Sequence, residues 1–341
     1  MGERDGVVVG IDNGGTTNNA TVLDASGAFL VDRLVETPSR VTEGPEVAVS
    51  ALVEAFVNVL ETTGVPRSAV RAVGLDTPGP ASADGVISSL GSTNFGHQAW
   101  RGFDVRAALE TALGLPVVYN NDGNAAALYA HHAHFGSRSH GTSSVSAIVG
   151  TGLGGGVVES GAVVQGAAGM AGELGHILIS TVGLLEDGQP VPHCNCGLSG
   201  DVESFASLTG IAKNLLPYWL TRFDGHPLAA VASPAEAAKR VRAYGEKGDA
   251  LARSIFTQQA VALGRLFTIA ANFTDPDAYF LGGGVVESQP EFQRWFLAVV
   301  RENTALRAEQ EAASTFALIP DLDMAGARGS ALAALELVRV G

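Results

Sequence analysis

Two acids, Asp12 and Asp122, each stand where an apolar, β-branched run gives way to a turn or helix. Asp12 ends VVVGID and precedes Gly14, Gly15, Thr16 and Thr17; Asp122 ends LPVVYNND and precedes the helix-forming run GNAAAL. A carboxylate beside a bare-backbone turn suits hydrated Mg²⁺, which keeps several waters and takes one or two carboxylates. The same residue equally suits an Asx turn. Asp122 has the chemistry of a general base, able to accept a hydroxyl proton as that oxygen attacks a γ-phosphate. A helix cap is the structural alternative.

Three glycine-rich turns follow apolar runs: DNGGTT at Asp12 to Thr17, GTGLGGG at Gly150 to Gly156, and LGGGVV at Leu281 to Val286. Bare backbone lets amide groups approach an anion, and threonine hydroxyls add donors. Each turn alone is a common way to end a strand, whereas three along one chain favour a nucleotide. The candidate phosphate contacts are Gly14, Gly15, Thr16 and Thr17, then Gly150, Thr151 and Gly152, then Gly282, Gly283 and Gly284. None fits the Walker A pattern, which needs Lys after its last glycine, or the single βαβ context of GxGxxG.

Glu173 and His176 lie three apart in GMAGELGHILI, on one side of a turn, and offer a carboxylate and an imidazole to a polyhydroxylated ligand. The chain has two cysteines, Cys194 and Cys196, in HCNCGLSGDVE. Thiols one residue apart close no easy disulfide, so metal ligation is the functional reading and two incidental thiols the other. The run from His131 to His134, with no matching thiol or carboxylate, reads as a solvated surface. Trp100 and Asn94, in STNFGHQAW, fit loop packing and ligand contact equally well.

These residues need a frame. Runs 7–12, 20–24 and 28–36 predict a meander of strands, and TEGPEVAVSALVEAFVNVLETTG predicts a helix with Pro45 in its first turn and Gly64 at its C-cap. AVGLD and LPVVYNND predict further strands, the second running into a helix that starts near Gly123. The second half repeats this grammar with SSVSAIVG, the turn TGLGGG, the strand VVESGAV, a long helix from about Asp249 to Asn272, the strand AYFLGGGVV and a final helix. The result is an α/β chain in two similar halves, with ligands expected in a cleft between them. A smaller domain over 1–120 and a larger one over 121–324 follow, with the C-terminal helix, about 325–341, packing back on the first.

A net charge of −14 over 341 residues opposes a nucleic-acid partner, because phosphate-backbone binding rests on clustered Lys and Arg. No apolar run approaches the ~20 residues of a bilayer span, and MGERDG lacks the order of a signal peptide, so no membrane partner and a cytoplasmic location are expected.

In their order, these motifs resemble those of the ROK family of repressors and sugar kinases, within the actin-like ATPase fold. DNGGT resembles the family's DxGGT turn, TPGP its PGP turn, NNDGNAAAL its NDANAAAL, GTGLGGGVV its second phosphate turn, and GELGHILI its GExGH motif. DPDAYFLGGGVV resembles the strand and turn that close over adenosine, and CNCGLSGDVE the zinc signature CxCGxxGCxE. The resemblance implies transfer of the ATP γ-phosphate, with Mg²⁺, to a hydroxyl of a hexose or hexose derivative. The 6-hydroxyl and glucose come first, and Asp122 is the base. Asn94, Asn121, Asp122, Glu173, His176 and Glu203 match sugar-contact positions, with Pro78 and Gly79 close by. A homodimer or homotetramer is expected on the same ground.

Four departures stand out: Thr17 replaces a longer residue, Asp76 a glycine, Gly123 an alanine and Asp201 the third zinc cysteine. Zinc accepts carboxylate oxygen, so the expected structural Zn²⁺ set is His176, Cys194, Cys196 and Asp201, with His193 as rival fourth ligand. Other sugars (fructose, mannose, allose, an N-acetylhexosamine), polyphosphate as donor, and a catalytically silent sugar sensor are alternatives. A repressor is not expected, since the first strand begins by Val7.

Overall fold

The computed structural model describes residues 6–79, 81–88 and 95–340. The chain opens with β1 (Val7–Asn13), β2 (Thr17–Asp24), β3 (Val35–Pro38), α1 (Pro45–Thr63), β4 (Val70–Thr77), α2 (Val105–Leu113), β5 (Val117–Asn121) and α3 (Asp122–Phe135). Next come β6 (Ser143–Val149), β7 (Leu153–Glu159), β8 (Ala162–Val163) and the short helices α4 (Val202–Ala206), α5 (Leu208–Gly210) and α6 (Leu216–Leu220). It closes with α7 (Pro234–Gly245), α8 (Ala250–Phe273), β9 (Ala278–Gly283), α9 (Pro290–Glu302), α10 (Ala308–Ala313), β10 (Thr315–Leu318) and α11 (Leu322–Val340).

The two five-stranded sheets share a plan. The first runs β3-β2-β1-β4-β5, and the second, read from its other edge, β8-β7-β6-β9-β10. In the first, β1 is antiparallel to β2 and parallel to β4, which is parallel to β5. In the second, β9 is parallel to both β6 and β10, while β7 and β8 are antiparallel. Parallel strands place their C-terminal ends on one edge, where open α/β sheets bind ligands. Asp12, Asp76 and Asp122 lie at or just beyond the ends of β1, β4 and β5; Gly150 and Gly284 lie just beyond β6 and β9.

Two compact units result, one of Met1–His140, Gly156–Gly172 and Pro320–Gly341, the other of Gly141–Gly155 and Glu173–Ile319. The boundary expected at residue 120 falls inside β5, and α3 belongs with the first unit because α11 packs across α3, β1 and β4. Small residues allow that approach. A Cβ on Gly74 would sit 1.8 Å from the Ser330 carbonyl oxygen, and one on Gly10 2.0 Å from that of Ala327. The core of the first sheet's other face is Val9, Ile11, Leu52, Phe56, Val73 and Leu75 with their neighbours.

Helix α1 follows its sequence: Pro45 opens it, Ala48, Leu52, Phe56 and Val59 are buried, and Gly64 closes it at φ 65°. Four expectations need correction. The run 28–36 forms only the short strand from Val35, since Asp32 and Arg33 are exposed and interrupt the alternation. In GTGLGGG the turn ends at Gly152, and Leu153 to Gly156 are already β7. VVESGAV is two strands joined through Ser160 and Gly161, both at positive φ. The histidine run is a solvated surface only at His134: His131 is fully buried with Nε2 2.9 Å from the Ser139 carbonyl, and half-buried His132 reaches the Gly161 carbonyl at 3.3 Å. No helix among the described residues is long and apolar enough to cross a membrane.

Candidate functional site

At the end of β1, the hairpin into β2 is closed by the Gly14 amide donating to the Thr17 carbonyl at 2.9 Å and by Asn13 Nδ2 donating to Asn18 Oδ1 at 2.6 Å. Thr16, at its tip, is exposed, and Gly14, Gly15 and Thr17 are half-buried. Asp12 Oδ2 accepts from Asn19 Nδ2 at 3.1 Å, so the acid is held by the strand opposite rather than by an Asx turn.

Asp76 is the register partner of Asp12 across β1 and β4. It is fully buried, with Oδ2 accepting from Ser330 Oγ at 2.7 Å, and it shares a side-chain hydrogen bond with the Asp12 carboxyl. Desolvation, then the neighbouring Asp12 and Asp122 charges, hold its carboxyl well above the usual range; burial also raises that of Asp12. Beyond β4, Thr77 Oγ1 and the Tyr119 hydroxyl lie 2.8 Å apart, with Pro78 and Gly79 half-buried after them. Sequence reading marked Asp76 only as a departure. Its burial beside Asp12 follows from strand register, which sequence does not give.

Asp122 is the first residue of α3, and it is not the cap. Asn121 caps the helix, its Oδ1 accepting from the Asn124 amide at 2.7 Å. Asp122 is exposed, with Oδ1 accepting from the Gly123 amide at 2.7 Å. Asn94 lies outside the described residues. Trp100 is packing: it is fully buried against Phe95 and Phe103, and its Nε1 donates to the Val41 carbonyl at 2.8 Å.

In the second unit, Gly150 and Thr151 are exposed at the end of β6, and the Leu208 and Thr209 amides donate to their carbonyls at 3.0 and 3.1 Å. Gly283, at φ 92°, closes β9 against β6, where a Cβ would meet the Val149 carbonyl oxygen at 1.9 Å. Gly282 is buried with it, so these two glycines serve strand packing at this point. Gly284 lies beyond them and, with Gly150 and Thr151, lines a cavity of about 360 Å³. Its apolar wall is Leu208, Ile211, Phe256, Val285 and Phe292, and its one fully buried polar member is Gln259. None of these was legible as a site residue, because they come from segments far apart in sequence.

The cysteine loop gathers the expected donor set. One ligand atom each from His176, Cys194, Cys196 and Asp201 all lie within 4.8 Å of one another. His176 Nδ1 is 3.5 Å from Asp201 Oδ2 and 3.9 Å from Cys194 Sγ, and Cys196 Sγ is 3.5 Å from the same Asp201 oxygen. Two sulfurs, one imidazole nitrogen and one carboxylate oxygen form a donor set that suits zinc. His193 is engaged elsewhere, its Nδ1 2.7 Å from Ser199 Oγ. Burial pushes the Cys194 thiol up.

Asp201 has a second task. While Oδ2 faces the cluster, Oδ1 caps α4 by accepting from the Ser204 amide at 2.9 Å. Two residues on, Glu203 accepts from the Leu153 amide through Oε2 at 2.8 Å and lies 3.3 Å from Cys194 Sγ through Oε1. It therefore ties the cysteine loop to the turn after β6. Glu173 is exposed and precedes the single helical turn that ends at His176.

The chain matches the ROK family over residues 8–336 and belongs to it. A glucokinase of Halalkalibacterium halodurans is 33% identical over 280 residues, covering 81% of this chain and 80% of that one. A ROK hexokinase structure from Thermus thermophilus superposes with a TM-score of 0.76 at 31% identity, over 98% of this chain and 100% of the other. A ROK family glucokinase from Streptomyces griseus, in complex with glucose and AMPPNP, has a TM-score of 0.68 at 29% identity over 98% and 100%. The mixed α/β fold with two sheets is thus the actin-like ATPase fold of ROK proteins.

Proposed function

We propose that this chain is a sugar kinase that transfers the γ-phosphoryl group of ATP to a hydroxyl, first the 6-hydroxyl, of a hexose, with glucose as the leading substrate. The observation that supports this most is the alignment of Asp12, Asp76 and Asp122 at the C-terminal ends of three neighbouring parallel strands, beside a bare-backbone turn. Phosphoryl transfer asks the protein mainly for positioning and charge, and these strand ends offer both. The glucokinases and hexokinase among its relatives point to the same chemistry.

In this reading Asp122 accepts the proton of the attacking hydroxyl. Its carboxylate is exposed and accepts from the Gly123 amide, within reach of an incoming hydroxyl in this reading. Asn121, Glu173, His176 and Glu203, with Pro78 and Gly79, would orient the sugar, and Asn94 joins them by resemblance. Gly14 to Thr17, Gly150 to Gly152 and Gly282 to Gly284 would approach the nucleotide, the last group mainly by shaping the strand end. Asp12 would hold Mg²⁺, whose oxygen-ligand preference it fits and which, when bound, neutralises phosphate charge. His176, Cys194, Cys196 and Asp201 would hold a structural Zn²⁺. A cytoplasmic enzyme acting as a homodimer or homotetramer completes the reading.

ADP release measured with ATP, Mg²⁺ and a panel of glucose, mannose, fructose, allose and N-acetylhexosamines tests it. Sugar-dependent release with at least one hexose is expected, and silence across the panel refutes it. Replacing ATP by polyphosphate settles the donor, and the acidic chain favours ATP because a polyanion is repelled.

A further inference from the structure

Asp76 stands where the family pattern has glycine, so its carboxyl is this chain's own addition to the sheet end. It occupies the register position of β4 that faces Asp12 on β1. The two differ in access. Asp12 is half-buried, whereas Asp76 is fully buried and so reaches no ligand itself. What Asp76 touches is protein: its Oδ2 accepts from Ser330 Oγ at 2.7 Å, and it shares a side-chain hydrogen bond with the Asp12 carboxyl.

Ser330, Asp76 and Asp12 thus form a line of hydrogen bonds from α11 through β4 to β1, and close packing backs both of its ends. A Cβ on Gly326 would sit 2.9 Å from Asp12 Cγ, so α11 lies directly against that carboxyl. Gly74, two residues before Asp76, admits the same helix so closely that a Cβ there would meet the Ser330 carbonyl oxygen at 1.8 Å. From β2, Asn19 Nδ2 donates to Asp12 Oδ2 at 3.1 Å. The terminal torsion of an aspartate is broad, so a carboxylate keeps one orientation only when its oxygens are held. Partners behind a metal ligand do this work. A buried carboxyl is also destabilising to keep where glycine would fit, which points to a task for it.

We propose that Asp76 is a positioning residue that, anchored by Ser330, holds the Asp12 carboxyl in the orientation that receives Mg²⁺. The inference rests on the reading of Asp12 as the Mg²⁺ ligand and adds the pair of residues that sets it. A hydrogen bond between two carboxyls has one donor. The side-chain amide of Asn supplies the same donor to Asp12, while its oxygen still accepts from Ser330. Asn therefore replaces Asp76 in this task, and Ala does not.

The test measures how much Mg²⁺ tightens AMPPNP, by titration calorimetry on the full chain with and without the ion. A merely structural role shifts both affinities together and leaves their ratio unmoved. In the wild-type protein the gain is expected to be at least ~10-fold. Asp76→Asn should keep it within about twofold, whereas Asp76→Ala should leave a gain below about threefold with Mg²⁺-free affinity little changed. Ser330→Ala keeps the Asp76 carboxyl but removes its anchor, and should cut the gain by at least about twofold. It decides the matter if Asp76→Ala fails to fold. A full gain in folded Asp76→Ala or in Ser330→Ala, a gain lost equally in Asp76→Asn, or AMPPNP weakened equally with and without Mg²⁺ would each overturn the proposal. Asp12→Asn separates the two readings. A gain that Asp12→Asn loses and Asp76→Ala keeps removes the positioning role and leaves Asp12 as the metal ligand. A gain that Asp12→Asn keeps, or none in the wild type, removes the metal reading and the proposal with it.

Discussion

Three side chains show how much a single position can hold. Asp122, the proposed base, does not cap α3, because its neighbour Asn121 does so instead. Asp122→Asn keeps the shape and removes the base, so turnover should fall by at least ~10² while sugar affinity stays within a few-fold. Comparing kcat with calorimetric sugar binding checks this, and near-normal turnover would remove Asp122 from the base role. Asp76 makes the opposite case. Its carboxyl is raised by burial, so ionisation opposes folding: the cost is absent below the ordinary carboxylate pKa of ~3.9 and grows as pH rises above it. Asp76→Asn removes that cost and should raise Tm more at pH 7.5 than at pH 4. A stabilisation that is larger at pH 4 contradicts the account. Asp201 combines an observed helix cap with a proposed zinc ligand, and the two separate by substitution. Asn caps a helix as well as Asp, whereas Cys restores a thiolate ligand but loses a cap that contributes about 1 kcal/mol. Asp201→Asn should thus lose zinc with little change in metal-free stability, and Asp201→Cys should keep zinc with a less stable metal-free form. Metal analysis and thermal melts on both variants read the two effects independently.

At the scale of elements, the helices with full signals were legible. Pro45, the buried spacing and Gly64 fixed α1, and α8 starts one residue after the expected Asp249, which is its cap. Illegible features depended on what the element meets. The glycines of GTGLGGG look alike in sequence, yet Leu153 onward is strand, since Gly155 must pass within reach of the Ser146 carbonyl. The histidines of α3 looked solvated because periodicity on a short Ala-rich helix does not say which face is covered. Burial of His132 lowers its pKa to about 4, chiefly by desolvation. A depressed histidine contributes its stability above the unfolded value of 6.5, and loses it as pH falls toward about 4, a term of up to roughly 3 kcal/mol. His132→Gln should therefore narrow the difference in Tm between pH 7.5 and pH 4.5. An unchanged difference would place the acid lability elsewhere.

Across the molecule, one strand plan occurs twice, and each copy keeps its candidate chemistry at the C-terminal ends of parallel strands. The sequence made the repeat visible as strands ending in glycine, and the order of the motifs gave the family. It gave neither the Asp12 and Asp76 pairing nor the cavity around Gln259, because both depend on which distant segments lie side by side. The central claim is that this arrangement moves a phosphoryl group from ATP to a sugar. Following the γ-labelled phosphate of ATP into product, with glucose present and Asp122→Asn run alongside, tests it most directly. The account predicts labelled sugar phosphate from the wild-type chain, at a rate at least ~10² above that of the variant. Label that stays in ATP or appears only as free phosphate with every hexose tried would contradict it.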